Sequence, residues 1–263
     1  ILMLLDRRLR DHRFRTWMAV WLVLVTHAVI DAMTTYGTRL FWPFTDDTVG
    51  VASIFIIDPL YTLPLLIAAL CGLFSGRWSG FLPRLFTVAV VASTLYMGWT
   101  VAAQQIMAAE ARRSFDAAGE TVLRSETQPL PFNTLAWRTI AINDRGEVLT
   151  LYASMLDPEP ETDIQRMSQG LHLLDRIPDR SPVDKVAAFS KGLYYLSETE
   201  GSIRVSDLRM GMHPDYVFTF EVARKSGPSV LEGQVRRITV NRRLEDVGWV
   251  FRRVIDPDAA PPQ

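Results

Sequence analysis

Cysteine is almost missing from this chain, because Cys71 is the only one in 263 residues. A disulfide within the chain is therefore impossible, and a cysteine-based metal site is not supported. The sequence also lacks a glycine-rich phosphate loop, a serine nucleophile elbow, a Cys–His pair and internal repeats. Its formal net charge of −1 gives no basis for nucleic-acid binding.

Hydrophobic residues make up 48% of the chain, but they are unevenly distributed. The part up to Ala109 is strongly apolar, whereas the remainder has the composition of a soluble domain. We therefore expect an α-helical transmembrane bundle over residues 1–110 and a small α+β soluble domain with an antiparallel sheet over 111–255. Residues 256–263, rich in Pro and Ala, are predicted to be a disordered tail.

About three membrane spans are expected, because three apolar segments each reach the roughly 20 residues that cross the hydrocarbon. They cover residues 14–35, 51–74 and 83–109. Asp58-Pro59 and Pro64 interrupt the second segment, which predicts a kink or a late helix start there.

Five arginines precede the first span, and positive charge beside a span favours the cytoplasmic side. They are Arg7, Arg8, Arg10, Arg13 and Arg15. Three spans would then leave the C-terminal domain outside, on the same side as the later end of the first span.

A histidine and an aspartate lie four residues apart near that end, in Thr26-His27-Ala-Val-Ile-Asp31. This spacing puts both side chains on one helix face. Polar groups are costly in lipid unless they pair, bind a metal or line a wet cavity. An imidazole with a carboxylate suits Zn²⁺ or a similar divalent ion. The alternative is a hydrogen-bonded pair that only holds helices together.

Asp58 lies in the outer half of the second segment, at a depth similar to that of His27 and Asp31. We expect the three side chains to face the helix bundle and to lie near one another. Asp58 is then a candidate catalytic base or water-orienting group. The alternative is an N-cap, since Asp before Pro is a common helix start.

The C-terminal half predicts strands at 135–142 and 148–155, joined by the turn Asn143-Asp-Arg-Gly146. Helices are predicted at 163–174 and 183–189, followed by a hairpin of 192–197 with 202–205. Further strands are predicted at 216–223, 235–240 and 248–254. Asp207 and Arg209 are expected to form a local ion pair.

The motif Thr26-His27-x-x-x-Asp31-x-x-Thr34-x-x-Gly37, followed by Trp42-Pro43-Phe44 and Phe55-Ile-Ile-Asp58-Pro59, resembles a known family. It is the bacterial family of membrane-bound metal-dependent hydrolases, also described as LexA-binding and inner-membrane-associated. The resemblance covers about the first 75 residues densely, and Asp207-Leu208-Arg209-x-Gly211 resembles a segment of longer members.

The resemblance implies a multi-pass protein of the bacterial inner (cytoplasmic) membrane that hydrolyses an ester with a divalent metal such as zinc. His27 and Asp31 would be metal ligands, and Asp58 a further ligand or supporting group. Family members also carry an upstream His-Arg-Gly-x-Thr-His-Ser motif, which this chain lacks. Since the chain opens with Ile1 and an apolar run, we expect it to be N-terminally truncated, with further ligands upstream.

Two functions follow as hypotheses. The first is a membrane hydrolase acting on a phosphoester or another ester of lipid or envelope origin, with membrane lipid as its partner. The second is a non-enzymatic scaffold or regulator whose C-terminal domain binds a protein partner and whose polar pair is structural. A measurement of bound metal would distinguish the two hypotheses.

Overall fold

The computed structural model describes residues 11–75, 78, 80–226, 230–232, 235–238 and 245–261. Residues 1–10, with the predicted apolar start and three of the five arginines, lie outside this part. Three helices come first and a β-rich domain follows. The helices are α1 (Arg13–Met33), α2 (Pro59–Phe74) and α3 (Leu82–Ala117).

Helix α1 ends where the chain turns back on it. The amides of Val51 and Ser53 donate to the carbonyls of Ala32 and Met33, both at 2.9 Å. These carbonyls have no partner within the helix, so the returning segment satisfies them. Gly37 makes the turn possible, because its φ is +64° and a Cβ there would lie 1.8 Å from the carbonyl oxygen of Val49.

Helix α2 begins later than the apolar segment predicted at 51–74. Residues 51–54 are held against the end of α1, and the helix starts only at Pro59, as the Asp-Pro signal predicted. The helix has 16 residues, about 24 Å at 1.5 Å per residue. Only α1 and α3 among the described helices are long and apolar enough to cross a membrane, so the expected three spans are not established.

Helix α3 has two halves with different surroundings. It has 36 residues, about 54 Å, which exceeds the roughly 30 Å of a bilayer core. In its second half, Ala103, Met107, Ala111 and Phe115 are buried against the β domain. Their spacing of four places them on one helix face. The predicted polar continuation of the third span is therefore the same helix, embedded in the domain.

The first sheet packs on this face of α3. It is antiparallel in the order β1-β2-β3-β4. Asn143 shapes the predicted turn between the middle strands, because its Oδ1 accepts the amides of Arg145 and Glu147. The strands are β1 (Val122–Pro129), β2 (Ala136–Asn143), β3 (Glu147–Ser154) and β4 (Gln165–Ser168).

The second sheet forms the next layer. Its order is β10-β9-β6-β5, β11 also pairs with β9, and β7 pairs with β8 in a small separate ladder. The hairpin predicted around Glu200-Gly201 is confirmed. The strands are β5 (Tyr194–Thr199), β6 (Ser202–Asp207), β7 (Gly211–Met212), β8 (Asp215–Tyr216), β9 (Thr219–Ser226), β10 (Val230–Glu232) and β11 (Arg236–Ile238).

Two apolar cores hold these layers together. The core between the sheets includes Ile140, Leu208 and Tyr216. The other core lies where the second sheet packs on a 3-10 helix (Leu171–Arg176) and on α4 (Ser181–Phe189). The predicted α+β class with antiparallel sheets is thus confirmed for the C-terminal domain.

Two predicted elements of this domain are wrong. The helix predicted over 163–174 is the edge strand β4 followed by the 3-10 helix, because β3 offers β4 a pairing edge. The strand predicted over 248–254 lies in helix α5 (Glu245–Ile255). Trp249, Val250 and Arg253 are buried there, and this spacing is helical rather than alternating.

The predicted disordered tail also has a defined place. The indole Nε1 of Trp249 donates to the carbonyl of Ala259 at 3.0 Å, and Ala259 packs against the same core. Residues 262 and 263 lie outside the described part of the chain.

Candidate functional site

His27 and Asp31 form a pair on the exposed face of α1. The distance from His27 Nε2 to Asp31 Oδ2 is 3.5 Å, and the side chains are 75% and 46% exposed. Ala32 is the one buried residue of this helix. The expectation that the pair faces the helix bundle is therefore wrong, because neither α2 nor α3 covers these side chains.

The pair fits two positions of a tetrahedral metal site. Ligand atoms about 2.05 Å from a zinc ion lie roughly 3.3 Å apart, close to the observed 3.5 Å. No group of three or more His, Cys, Asp or Glu side chains that could hold a metal occurs among the described residues. Within the described residues the pair therefore supplies two of the ligands that a metal site needs.

Asp58 caps α2, which confirms the alternative left open by the sequence. Its Oδ1 accepts the amides of Leu60 at 2.9 Å and Tyr61 at 3.2 Å. Its Oδ2 accepts the hydroxyl of Tyr96 on α3 at 2.9 Å. The residue is 2% exposed. Asp58 therefore starts α2 and ties it to α3.

The structure does not join Asp58 to the His27–Asp31 pair. The hydrogen-bond partners of Asp58 within the described residues come from α2 and α3, whereas the pair faces outward on α1. Tyr96 instead extends the network to Thr134 of the β domain, at 3.2 Å between the hydroxyl oxygens. A catalytic role for Asp58 stays a prediction.

A second polar cluster, which the sequence analysis missed as a group, lies at the end of α1. The predicted ion pair of Asp207 and Arg209 is at its centre and is fully buried, with Arg209 Nη2 2.8 Å from Asp207 Oδ2. The Arg209 guanidinium lies 4.6 Å from the ring centre of Tyr36 and 5.1 Å from that of Phe189. Tyr36 thereby fastens the end of α1 to the β domain.

Glu126 adds a buried carboxyl group to this cluster. Burial raises the pKa of Glu126 to about 7, and the positive charges of Arg209 and Lys191 only partly oppose it. Its Oε1 has no hydrogen-bond partner within the part of the chain that is described. Burial, reinforced by the charge of Asp207, also raises the pKa of Tyr36 far above its ordinary value.

A cavity of about 140 Å³, here called the junction cavity, lies beside this cluster. Its walls come from the end of α1, from the segment before α2 and from two parts of the β domain. They are formed by residues 34–36, 54–56, 128–131 and 209–212 together with Arg138. Thr35 donates to Gln128 Oε1 across this boundary at 2.8 Å.

Arg138 is the residue from which the sequence could have indicated a buried polar site at this cavity. It is the charged residue of the otherwise uncharged strand Ala136–Asn143, all of whose residues are buried. Buried charges are rare unless they are paired. The sequence does not reveal its partners, because they lie about 70 residues later.

A larger open groove of about 960 Å³ lies on the far part of the β domain. Asp157 and Glu161 on its rim bind the buried Arg253, with Nη2–oxygen distances of 2.8 and 3.0 Å. Glu159 and Asp163 also line the groove, and residues 257–261 form one wall.

Comparison with known proteins places the first part of the chain beside a known family. Residues 1–107 match the family described as YdjM inner membrane protein. No curated protein and no solved structure matches the chain. The matched part includes α1, α2 and most of α3, and α1 and α3 are long and apolar enough to cross a membrane. The match and the helices together indicate an inner-membrane protein.

Proposed function

We propose that the protein is an integral inner-membrane, metal-dependent hydrolase in which His27 and Asp31 are metal ligands. The observation that supports this proposal is the 3.5 Å separation of their nitrogen and oxygen atoms on one helix face. The face is exposed, so another helix can approach it and supply the remaining ligands. The match to an inner membrane protein family agrees with the location but names no activity.

A divalent metal such as zinc, when bound, would lower the pKa of a water molecule and polarise the bond to be cleaved. His27 would contribute a neutral imidazole nitrogen and Asp31 a charged oxygen. Asp58 is the proposed base or water-orienting group, a role that requires its Oδ2 to exchange the hydroxyl of Tyr96 for the water. The proposed substrate is a phosphoester or another ester of lipid or envelope origin, since the pair lies on a membrane-capable helix.

Metal content tests the proposal most directly. The protein is purified in detergent, and its zinc and other divalent ions are measured by mass spectrometry. His27→Ala should abolish stoichiometric metal, and Asp31→Asn should weaken it strongly because the amide keeps the shape but loses the charge. His172→Ala is the matched control, since His172 is exposed in the β domain. Metal-free wild-type protein, or metal retained after His27→Ala, would contradict the proposal.

A scaffold or regulatory function is the second candidate. The open groove of about 960 Å³ on the β domain, with its acidic rim, is the observation that favours it. In that case the His27–Asp31 pair is structural, and the two substitutions change stability without changing metal content.

A further inference from the structure

Arg138 is a buried cation without a counter-ion in contact. It is 3% exposed. Its guanidinium donates to the carbonyls of Leu208 at 2.7 Å, Arg209 at 3.0 Å and Gly211. These bonds hold the loop after β6, but carbonyl dipoles do not cancel a full charge. Within the described residues no carboxylate lies within salt-bridge distance of Arg138, and its Nε has no hydrogen-bond partner.

The charges around Arg138 leave an excess of positive charge. Arg209 is matched by Asp207 through a bidentate ion pair, so this pair is neutral as a unit. Glu126 is the other carboxyl group nearby, and burial raises its pKa to about 7, so near neutral pH it carries only part of a negative charge. A buried guanidinium without compensation is costly, and an anion beside it would remove that cost.

Arg138 lines the junction cavity, which gives an anion room to reach it. The volume of about 140 Å³ accommodates a small oxyanion with a few attached atoms. The cavity also has an apolar side, formed by Ile54, Phe55 and Ile56 of the segment before α2. Since residues 34–36, which follow α1, form part of its wall, the cavity lies at the end of a membrane-capable helix, where phospholipid headgroups are found.

We propose that the junction cavity is a binding site for a phosphate group, carried by a phospholipid headgroup or by free phosphate. Arg138, which lines the cavity, supplies the positive charge. The apolar side contacts the rest of the ligand, and Ile56 forms the mouth because it lines the cavity and is 68% exposed. The site differs from the proposed metal site, since it uses neither His27 nor Asp31.

The test measures thermal stability in dodecyl maltoside, a detergent without phosphate. Sodium phosphate is titrated against sodium chloride at matched ionic strength. Separate samples receive phosphatidylglycerol or, as a phosphate-free lipid, diacylglycerol. We expect a saturable rise of the unfolding midpoint with a phosphate-bearing ligand and none with its control.

Two variants link the effect to the cavity. Ile56→Glu places a negative charge at the mouth, and phosphate binding should become on the order of tenfold weaker or worse. Ile57→Glu is the matched control, because Ile57 is 61% exposed but does not line the cavity. Both side chains are at the surface, so both variants should fold. Arg138→Gln should also abolish the response where it folds.

Each outcome decides the proposal. A response to sodium phosphate identifies free phosphate as a sufficient ligand, whereas a response to phosphatidylglycerol alone identifies the lipid headgroup. The absence of both responses in wild-type protein would overturn the proposal, as would an unchanged response in Ile56→Glu.

Discussion

The two membrane-capable helices differ in what they bury. Helix α1 exposes nearly its whole length and buries only Ala32. Helix α3 buries a stripe from Ala103 to Phe115 against the first sheet. Both helices are apolar, so composition alone does not distinguish them. The difference shows that α3 is part of the domain core, whereas the contacts of this region with the domain, within the described residues, come from Thr35 and Tyr36 just after α1.

The largest expected effect tests this difference with one substitution in each helix. Phe115→Ala should reduce the free energy of unfolding of the β domain by about 3–5 kcal/mol, because it leaves a cavity among buried side chains. Phe14→Ala in α1 should change it little, since Phe14 is exposed. Urea unfolding in detergent, followed by tryptophan fluorescence, to which the buried Trp137 and Trp249 contribute, measures both. Equal effects would remove the distinction between the helices.

A second prediction concerns the contact at the end of α1, where Glu126 lies beside Tyr36 and Arg209. Burial raises the pKa of Glu126 from its ordinary value of 4.5 to about 7, so between these pH values the folded state holds a proton that the unfolded state has released. The stability that protonated Glu126 contributes to the folded state is therefore present at low pH and is lost as the pH rises from about 4.5 to 7.

Glu126→Gln should abolish the loss of stability with rising pH, because the amide does not ionise. It should therefore raise the free energy of unfolding at pH 8 by up to about 3 kcal/mol relative to wild type. Unfolding curves between pH 4.5 and 8 measure it. Glu159→Gln, at an exposed carboxylate of the same domain, should leave the pH profile unchanged. A wild-type stability that rises over this range would show that Glu126 is not the controlling group.

A third prediction concerns the link between α2 and α3. Asp58→Ala removes an N-cap and the acceptor of Tyr96, and should destabilise the start of α2 by about 1–2 kcal/mol. Hydrogen exchange of the Leu60 and Tyr61 amides should accelerate. Asp46→Ala is the control, since Asp46 is exposed in the preceding loop. Unchanged exchange at both amides would contradict the capping role.

The smallest expected effect tests whether the His27–Asp31 pair on α1 contributes to the stability of the β domain. His27→Ala should leave the free energy of unfolding of the β domain within about 0.5 kcal/mol of wild type, because the His27 side chain is 75% exposed on α1. The same urea measurement checks this, and the metal content of the same sample tests the proposed ligand role. A large loss of domain stability would mean that α1 supports the domain beyond Tyr36.

Several features were predictable from the sequence, because short-range chemistry determines them. Asp58 before Pro59 starts α2, and the turn from Asn143 to Gly146 joins β2 and β3. Asp207 and Arg209, two residues apart, form the predicted ion pair. In each case the groups that interact are neighbours in the chain. The spacing of His27 and Asp31 on one helix face is of the same kind.

Packing between distant segments determined the features that the sequence did not predict. Residues 248–254 have the composition of a strand, yet they form a helix because Trp249 and Val250 pack in the core and Arg253 reaches Asp157. The amides of residues 51–54 donate to carbonyls at the end of α1, so these residues are not part of α2 and the helix is shorter than the predicted second span. Arg138 meets carbonyls some 70 residues away and lines a cavity at the junction of helices and sheets. The apolar pattern of the chain thus determined its two-part organisation, whereas the direction of each buried face depended on contacts between distant segments, which no local pattern encodes.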